Sequence, residues 1–486
     1  MVMQKPTTHL AFSLSRHDIR DRVLIPKYYD PDLKEADLLA SHDCRLVELK
    51  DLLYPGSLGS HLGSWIRREW YGTGPIPYVR TSDLSHWRVR PDYKKGVADE
   101  IYLNLKEKQD VRTNDILFVA HGTYLVGNVA IVTDEEPKLL IQDHIFRLRV
   151  NPQAGLSPFY LLAALSTAFV RRQVRARQFS ADIIDKIGER HLSIRVPVPK
   201  KDYLIEEVTS LVQRLIQDQS KIRRDIRQCA DLQRRMLRER ATSRFAFGVQ
   251  RSQIRRRVLV PKYYDPMVEE AVLRTQAEAH EKWTTLGDIE DHEEISLQTG
   301  VEVGKMAYGT GEIPFIRTSD IADLEVKRDI RHGISDAIYK RFEKKAGVCA
   351  GDILLVRDGT YLVGSSVLVT GEDMPALICG GLYRIRVSRY SSIKPSALLV
   401  ALNLPVVRMQ MRARQFTRDV IDTLGDRIRE IMVPPIGSPR WEKIGCEMDA
   451  IIARKSAIKQ EIDRAIRSIE PQAPSIIIGR PSWAMR

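Results

Sequence analysis

Two stretches of the chain place apolar residues alternately four and three positions apart, which is the spacing of a coiled-coil seam. The nine seam positions of each stretch are Val208, Val212, Leu215, Gln219, Ile222, Ile226, Cys229, Gln233 and Met236, and then Trp441, Ile444, Met448, Ile451, Lys455, Ile458, Ile462, Ala465 and Ile469. The pattern predicts two long helices, at residues 203–243 and 440–470, that pair with each other as an antiparallel coiled coil. The polar seam residues Gln219, Gln233 and Lys455 would fix its register and partner. The alternative is that each helix is amphipathic and packs on its own domain.

Shorter periodicities precede each long helix and predict a mixed α+β domain. Four runs read as strands because they are rich in β-forming residues or alternate apolar with polar positions: residues 78–79, 115–119, 125–132 and 146–150. The second and third runs predict a hairpin, and the fourth predicts a half-buried strand. A helix begins at Pro158 and continues to about Ala176, with arginines in its last turns. Each domain is therefore predicted to consist mostly of strands, with one long internal helix.

The same pattern is present twice, because one domain has been duplicated in tandem. Residues 71–84, 115–127 and 175–180 return 237 positions later, and the segment Arg-Val-Leu-Ile-Pro-Lys-Tyr-Tyr-Asp-Pro at residues 22–31 returns 235 positions later. The repeat divides the chain into a first module at residues 1–202, the first long helix at 203–243, a second module at 244–439, the second long helix at 440–470 and a tail at 471–486.

The charge of the chain indicates a polyanionic partner. The formal net charge is +13, and residues 220–257 carry thirteen lysines and arginines against three acids. Such an excess favours nucleic acid over an anionic membrane, although a solvated helix face explains the basic stretch equally well. The longest apolar runs, residues 159–170 and 397–407, are too short to span a membrane. Five cysteines without a C-x-x-C pair argue against a zinc site or a disulfide framework, and they favour a cytoplasmic protein.

The sequence contains no catalytic constellation. The glycines of residues 72–74 precede a predicted strand rather than a helix, so they do not match a dinucleotide fingerprint. Residues 433–436 lack the polar residue and the aromatic of an amino-methyltransferase loop. Asp329, Glu343 and Lys345 have the residue types of a metal nuclease, but the first module has no matching Glu-x-Lys. We expect no catalytic residue, no metal and no cofactor bound by this chain.

The duplicated α+β module, the long helix after each copy, the basic charge and the lack of catalytic motifs together resemble the specificity (S) subunit of type I restriction–modification systems, or a closely related methylation-based phage-defence specificity subunit. Three motifs carry the resemblance: Ile-Pro-Tyr/Phe-Val/Ile-Arg-Thr-Ser-Asp at residues 76–83 and 313–320, Asn/Gly-Asp-Ile-Leu at 114–117 and 351–354, and Gln-Phe-Ser/Thr at 178–180 and 415–417. The Arg-Val-Leu-x-Pro-Lys-Tyr-Tyr-Asp-Pro segment departs from the family pattern, and so does the strong likeness of the two modules.

The resemblance implies that each module is a target-recognition domain for one half of a bipartite target in double-stranded DNA. It implies that the helices space the two modules and dock two DNA adenine methyltransferase subunits, which would hold the S-adenosylmethionine. A restriction or other effector subunit is a further expected partner, and no membrane is expected. Two other classes stay open: a self-sufficient DNA-modifying enzyme, and an RNA-binding or architectural protein.

The two copies separate the candidate DNA-binding residues into two groups. Arginines shared by both copies (Arg80 and Arg317, Arg175 and Arg412, Arg177 and Arg414) suit either phosphate contact or scaffold hydrogen bonding. Residues that differ inside matched blocks are candidate base readers unless they are drifted loop residues: Ala120-His121 against Arg357-Asp358, and Gln142-Asp143-His144 against Cys379-Gly380-Gly381. Arg357 has the donors that guanine needs, and Gln142 matches adenine. The remaining candidates are Thr81, Ser82, Thr123, Tyr124, Arg171, Gln178, Thr318, Ser319, Thr360, Tyr361, Arg408 and Gln415.

Overall fold

The computed structural model of the chain describes residues 13–19, 23–90, 95–122, 125–136, 138–181, 184–237, 247–254, 258–322, 324–326, 332–359, 362–418 and 421–471. Across these ranges, none of the helices combines the length and the apolar character needed to cross a membrane.

The first module alternates short strands with helices and is followed by a long helix. Its helices are α1 (Pro31–Asp43), α2 (Leu49–Leu52), α3 (Asp99–Gln109), α4 (Pro158–Ala164) and α5 (Ala168–Arg177), and the long helix is α6 (Asp202–Leu237). Its strands are β1 (Cys44–Glu48), β2 (Ser60–Leu62), β3 (Tyr78–Val79), β4 (Leu84–Ser85), β5 (Arg88–Val89), β6 (Ile116–Val119), β7 (Val129–Ile131), β8 (Leu140–Ile141), β9 (Ile145–Leu148), β10 (Phe179–Ala181), β11 (Ile184–Lys186) and β12 (Arg195–Pro199).

The second module repeats this series of elements. Its helices are α7 (Pro266–Ala279), α8 (Leu286–Asp291), α9 (Asp336–Ala346), α10 (Pro395–Asn403) and α11 (Pro405–Arg414), followed by the long helix α12 (Pro439–Ser468). Its strands are β13 (Thr284–Thr285), β14 (Ile295–Thr299), β15 (Phe315–Ile316), β16 (Ile321–Ala322), β17 (Glu325–Val326), β18 (Ile353–Val356), β19 (Ser366–Leu368), β20 (Leu377–Ile378), β21 (Leu382–Val387), β22 (Phe416–Arg418), β23 (Ile421–Thr423) and β24 (Met432–Val433).

Strand pairing is the same in both modules. An antiparallel four-stranded sheet has the order β2–β9–β6–β7 in the first module and β14–β21–β18–β19 in the second. The first and last strands of each module pair with each other, β1 with β12 and β13 with β24. Each module also has a parallel pair of strands, β3 with β8 in the first and β15 with β20 in the second. Two two-stranded hairpins complete the strands of each module. The duplication in the sequence is therefore also a duplication of topology.

The helix predicted from Pro158 to about Ala176 is two helices, α4 and α5. Thr167 separates them, because its hydroxyl accepts a hydrogen bond from the N–H of Val170 at 3.3 Å and so begins a new helix. In the second module Pro405 begins α11 at the equivalent position, and proline lacks the N–H that a continuous helix requires. The α+β class is confirmed, but strands do not predominate, since 48% of the described residues, long helices included, are helical and 19% are strand.

The strand predicted to be half-buried is buried on both faces. All four residues of β9 are buried, because β9 is an inner strand of the large sheet. Its polar member, Arg147, donates to the carbonyls of Ser57 and Leu58 at 2.5 and 3.0 Å. Arg149, just beyond the strand, pairs with Asp110 and Asp115 at 2.7 and 2.8 Å. The alternation in the sequence therefore came from buried arginines with partners and not from a solvated face.

The described apolar seam positions that are buried are Val208, Val212, Leu215, Ile222, Trp441, Ile458, Ile462, Ala465 and Ile469, and the polar seam residues Gln219 and Lys455 are buried as well. Trp441 belongs to the larger apolar core of the second module, and Ile444 and Met448 pack against it, so the start of α12 packs on its own module. The seam positions between residues 225 and 237 lie outside the side chains that the structure describes. The pairing of the two helices with each other stays a prediction.

Two polar seam residues contact hairpins of their own modules. The Gln219 side chain donates to the carbonyl of His86, between β4 and β5, at 3.3 Å. Lys455 lies 3.0 Å from the carboxylate of Glu325 on β17, and both side chains are less than a tenth exposed. These residues therefore hold each long helix against the equivalent hairpin.

The chain forms two compact units that do not follow the order of the sequence. One unit contains residues 1–221 and 457–486, and the other contains residues 222–456. Within the first unit, the Glu470 carboxylate accepts hydrogen bonds from the N–H groups of Ala168 and Phe169 at 2.7 and 2.9 Å. This carboxylate caps the N-terminus of α5, where a negative charge is favourable.

Candidate nucleic-acid interface

In both modules, the blocks that differ in sequence lie on two loops that are hydrogen-bonded together. We call these the paired loops: residues 120–122 with 142–144 in the first module, and residues 357–359 with 379–381 in the second. In the first, the N–H groups of Ala120 and His121 donate to the carbonyl of His144 at 2.8 and 3.4 Å.

The second module has the same backbone frame around different side chains. The N–H groups of Arg357 and Asp358 donate to the carbonyl of Gly381 at 2.9 and 3.2 Å. The side chains that differ between the two modules therefore lie at equivalent backbone positions.

A hairpin completes the frame. In the first module, a bridge joins His121 to Lys186 at the end of β11, and Ile187 donates to the carbonyl of Ala120 at 3.1 Å. In the second, a bridge joins Asp358 to Thr423, and Leu424 donates to the carbonyl of Arg357 at 3.1 Å. The hairpins follow directly after α5 and α11. The arginine-rich helices therefore lie next to the site along the chain.

The first module presents two histidines at the paired loops. The ring centroids of His121 and His144 lie 4.9 Å apart. Desolvation is the main cause that lowers the pKa of His121, and the neighbouring His144 lowers it further. Gln142 and Asp143 on the same loop are half-buried. Neutral imidazole and amide groups each offer both donors and acceptors, which suits contact with base edges.

The second module presents a charged pair instead. The Arg357 guanidinium lies 3.2 Å from the Asp358 carboxylate and 5.8 Å from the centre of the Tyr383 ring. It also donates to the carbonyl of Gly380 at 3.4 Å. Cys379 is half-buried, and desolvation raises the pKa of its thiol. A Cβ at position 381 would lie 2.8 Å from Cγ2 of Thr318, so a larger residue there would displace the threonine side chain.

The shared arginines Arg80 and Arg317 hold their own loops together. The backbone N–H of Arg80 donates to Asp83 at 2.9 Å, and its guanidinium bonds both carboxylate oxygens of Asp83. Arg317 makes the same bonds with Asp320. Thr81 and Thr318 are half-buried, whereas Ser82 and Ser319 are exposed and each hydroxyl donates to the neighbouring aspartate. These bonds give both arginines a scaffold role, and phosphate contact by them stays a prediction.

Arg177 and Arg414 also make scaffold bonds. Arg177 donates to the Oγ and the carbonyl of Ser193 at 3.0 and 3.1 Å, and it lies 6.0 Å from the centre of the Tyr28 ring. Arg414 pairs with Glu430 at 3.4 Å and lies 5.6 Å from the centre of the Tyr263 ring.

The buried glutamines Gln178 and Gln415 follow these arginines, and the Gln415 amide donates to Asp422 at 2.8 Å. Gln415 therefore supports its hairpin from inside.

The exposed faces of α5 and α11 carry the remaining predicted arginines. Arg171, Arg175 and Arg412 are exposed, and Arg408 is half-buried with a guanidinium that donates to the carbonyl of Gly364. The predicted candidates Thr123, Tyr124, Thr360 and Tyr361 lie outside the described residues. Among the residues that are described, no cluster of His, Cys, Asp and Glu could hold a metal ion.

Two residues beside the paired loops were missed by the sequence comparison. Trp65 is 68% exposed, and the neighbouring Ser64 donates to the carbonyl of Ile141 at 3.1 Å, next to the 142–144 loop. Glu302 occupies the corresponding place in the second module and accepts a hydrogen bond from the N–H of Gly380 at 3.2 Å. These residues lie where the copies resemble each other least, so their correspondence was hidden. The available signal was that Trp65 and Glu302 are 237 residues apart, so that a tryptophan in one copy aligns with a glutamate in the other.

Solved structures similar to this chain come from type I restriction–modification systems. The S subunit from M. genitalium is 13% identical and covers 88% of this chain and 96% of its own, with a TM-score of 0.35. The HsdS subunit from Thermoanaerobacter tengcongensis is 16% identical over 88% and 95%, with a TM-score of 0.26. A structure concerned with complex assembly and conformational transition of the type I system is 15% identical over 88% and 96%, with a TM-score of 0.26.

These neighbours belong to the family that the repeated motifs resemble. At such TM-scores and identities, the likeness by itself settles neither the fold nor the activity of this chain. No family model and no curated protein matches the sequence.

Proposed function

We propose that the chain is a DNA-binding specificity subunit whose two modules recognise the two halves of a bipartite target. The observation that carries the proposal is the frame of the paired loops. Its backbone hydrogen bonds are the same in both modules, but it presents His121, Gln142 and His144 in one and Arg357 and Asp358 in the other. One scaffold with two sets of side chains is what reading two different half-sites requires.

Charge supports a nucleic-acid partner. The chain carries a net charge of +13, and exposed arginines lie on the helices that lead into the hairpins bonded to the paired loops. Arginines of this kind release counterions from the phosphate backbone, so binding should weaken steeply as salt is added. In this proposal they position the duplex, and the paired loops read it.

The long helices would pair antiparallel, space the two modules and dock the partners. The division of the chain into units supports this arrangement, since each unit takes one part of α6 and one part of α12. Catalysis would belong to two DNA adenine methyltransferase subunits, which hold S-adenosylmethionine. The chain itself would supply no catalytic residue, and an effector subunit would decide whether the DNA is cut.

The proposal is tested by reconstitution with a methyltransferase subunit. The isolated chain should bind duplex DNA without transferring a methyl group, and transfer should appear only when the subunit is added. Turnover by the chain alone would make it a self-sufficient enzyme. Stronger binding to structured RNA than to duplex DNA would make it an RNA-binding protein.

Substitution of Arg357 should separate base reading from phosphate contact. Arg357→Ala should relax one base position in one half-site by about 1–3 kcal/mol, because a forked arginine contact to guanine is lost. Arg412→Ala should weaken binding to all sequences alike, because an exposed helix arginine contacts phosphate. The measurement is a binding competition over every single-base variant of the target, which is first found by sequencing methylated sites. If Arg357→Ala weakens binding to all sequences equally, Arg357 does not read a base.

A further inference from the structure

In the first module, residues 63–65 form a third segment beside the paired loops, which we call the flanking segment. The N–H of Gly63 donates to the carbonyl of Ile145 at 2.9 Å, and the N–H of Ser64 donates to the carbonyl of Ile141 at 3.1 Å. The two acceptors lie immediately before and after the second of the paired loops. The backbone of the flanking segment is therefore bonded at both ends of that loop.

In the second module, the flanking segment is residues 300–302, and it makes the same two bonds. The N–H of Gly300 donates to the carbonyl of Leu382 at 3.2 Å, and the N–H of Val301 donates to the carbonyl of Ile378 at 3.0 Å. Each donor and each acceptor lies 237 positions after its counterpart in the first module. The frame of the paired loops therefore extends to the flanking segment in both modules.

Each flanking segment begins with a glycine, because its backbone passes too close to the paired loop for a side chain. A Cβ at Gly63 would lie 2.3 Å from the carbonyl oxygen of Gln142, and a Cβ at Gly300 would lie 2.2 Å from that of Cys379. Both oxygens belong to the backbone, so no movement of a side chain would relieve the clash. The close approach is thus a shared feature of the two modules, and it fixes the place of the residues that follow the glycine.

The third residue of the flanking segment is exposed in both modules but differs in chemistry. Trp65 is 68% exposed, and Glu302 is exposed with a carboxylate that accepts from the N–H of Gly380 at 3.2 Å. The residue before it, Ser64 or Val301, is buried. A constant backbone with a variable exposed side chain is also what characterises the paired loops. A tryptophan in solvent leaves a large apolar surface uncovered, which indicates a contact outside the module.

In the second module, one glycine holds an acidic and a basic side chain together. Glu302 accepts from the N–H of Gly380, and the Arg357 guanidinium donates to the carbonyl of the same glycine at 3.4 Å. DNA phosphates repel a carboxylate, but the N4 amine of cytosine donates to one, and an arginine fork fits N7 and O6 of guanine. These groups lie side by side on the major-groove edge of a G·C pair. The adjacent acid and base therefore match that pair.

We propose that Glu302 and Arg357 read one G·C pair together, with Glu302 at the cytosine amine and Arg357 at the guanine. In the first module, Trp65 packs on the methyl group of a thymine whose adenine partner is contacted by Gln142, because apolar groups recognise that methyl and amides recognise adenine. This inference rests on the proposed function and deepens it, since it adds a reading position to each module and assigns the class of base pair read there.

The test of the second module is the binding of the full-length chain to duplexes that carry the target found by sequencing methylated sites. Replacing the cytosine of the G·C pair by 2-pyrimidinone removes only the amine. This change should weaken binding of the unmodified chain about tenfold, because a charge-assisted hydrogen bond is lost. Binding of Glu302→Ala should not respond to the amine, and Arg357→Ala should relax specificity at the same base pair.

The matched control is Glu269→Ala. Glu269 is exposed in the first turn of α7, so the substitution removes the same charge from the same module. This variant should keep the tenfold dependence on the cytosine amine, which separates reading by Glu302 from a general effect of charge on DNA affinity.

The test of the first module replaces thymine by deoxyuridine, which lacks only the methyl group. At the thymine read by Trp65, the unmodified chain should bind the deoxyuridine duplex about threefold to fivefold more weakly, because the burial of one methyl group is lost. Trp65→Ala should bind both duplexes equally, and Trp65→Phe should keep part of the difference. Unchanged preferences at the other positions of the half-site would show that the variants are folded.

The outcomes separate the inference from the function on which it rests. If the unmodified chain prefers no DNA sequence, the proposed function fails. If it prefers a bipartite target but Glu302→Ala and Trp65→Ala respond to the amine and the methyl as the unmodified chain does, this inference alone fails. Relaxation of two different base pairs by Glu302→Ala and Arg357→Ala would overturn the shared reading of one pair. Loss of a partner subunit by Trp65→Ala, without a change in base preference, would overturn the thymine contact.

Discussion

His191 is a buried side chain that a protein can accommodate only when its ring is neutral. It is 1% exposed and stacks on Phe146 with ring centres 4.1 Å apart. One ring nitrogen bonds the carbonyl of Gly188 at 2.7 Å, and the other bonds the hydroxyl of Ser60 at 2.8 Å. The ring therefore carries its proton on Nδ1, which donates to the carbonyl, and Nε2 accepts from the serine hydroxyl.

The second module satisfies the equivalent carbonyl in another way. Ile428 replaces the histidine, and Tyr383 replaces Phe146. The Tyr383 hydroxyl donates to the carbonyl of Gly425. The pair of substitutions keeps one buried donor for one buried acceptor, but replaces a histidine by a tyrosine whose raised pKa keeps it neutral in acid.

Acid should therefore destabilise the first module selectively. Burial lowers the pKa of His191 from 6.5 to about 4. Between pH 6.5 and pH 4, His191 binds a proton in the unfolded chain but not in the folded chain. The free energy of unfolding should therefore fall as the pH drops from 6.5 to 4. The loss should reach about 3 kcal/mol. Hydrogen exchange corrected for the intrinsic effect of pH would measure each module separately.

The double variant Phe146→Tyr with His191→Ile is the control, because it copies the arrangement of the second module. It should remove this pH dependence while preserving the hydrogen bond to Gly188. If the first module of the double variant loses stability with acid as before, His191 is not the cause.

At the scale of elements, the contact between Lys455 on α12 and Glu325 on β17 holds a long helix to a module. Both groups are buried, so removing one takes this ion pair away from a charge that stays buried. Lys455→Met alone should lower the free energy of unfolding by about 3–5 kcal/mol. Lys455→Met with Glu325→Leu should recover most of the loss, because the pair is then replaced by apolar packing. Urea unfolding of the full chain measures both.

The comparison variant is Lys340→Met. Lys340 pairs with Asp336 on the exposed surface of α9, and its loss should cost much less than the loss of Lys455, because solvent screens an exposed pair. Equal costs for Lys455→Met and Lys340→Met would show that burial does not strengthen the helix contact.

Several elements could be predicted because their signals are local. Strand β3 and the hairpin β6–β7 follow from apolar runs with turn residues between them, and both are confirmed. The break between α4 and α5 could not be predicted from periodicity, because apolar residues continue across it and the cap of Thr167 decides the outcome. Burial of β9 depends on its neighbours in the sheet, and the partners of Arg147 are 89 and 90 residues away in the chain.

The site could be predicted only as far as the two copies align. Arg357 and Gln142 were identified because they differ between the copies inside matched blocks. The structure shows that their loops have equivalent backbone hydrogen bonds. Trp65 and Glu302 were missed because the flanking sequence had diverged. The scaffold bonds of Arg80 were also invisible, since a shared arginine is expected for either of two roles.

At the scale of the whole molecule, the proposed coiled coil should set the distance between half-sites. Inserting one matched heptad into both α6 and α12 lengthens each helix by about 10.5 Å and keeps the seam in phase. Because DNA rises about 3.4 Å per base pair, the unread spacer should grow by about three pairs while the half-sites stay the same. Sequencing the methylated sites left by the lengthened chain and its partner would show this.

A heptad inserted into one helix only is the control, because it breaks the match between the two seams and should abolish methylation. Full activity on the original spacer by the chain with both insertions would show that the helices do not set the distance.

The cap that Glu470 places on α5 has a consequence for the order in which the chain folds on the ribosome. The contact joins residues 302 positions apart, and the unit that contains it also contains residues from near both ends of the chain. The other unit is one continuous stretch, residues 222–456, and all of it is synthesised before Glu470. The first module to be translated is therefore the last to be finished. Until then, the amides of Ala168 and Phe169 at the start of α5 lack their carboxylate, and a nascent chain stalled before residue 470 contains every residue of the second unit but only part of the first.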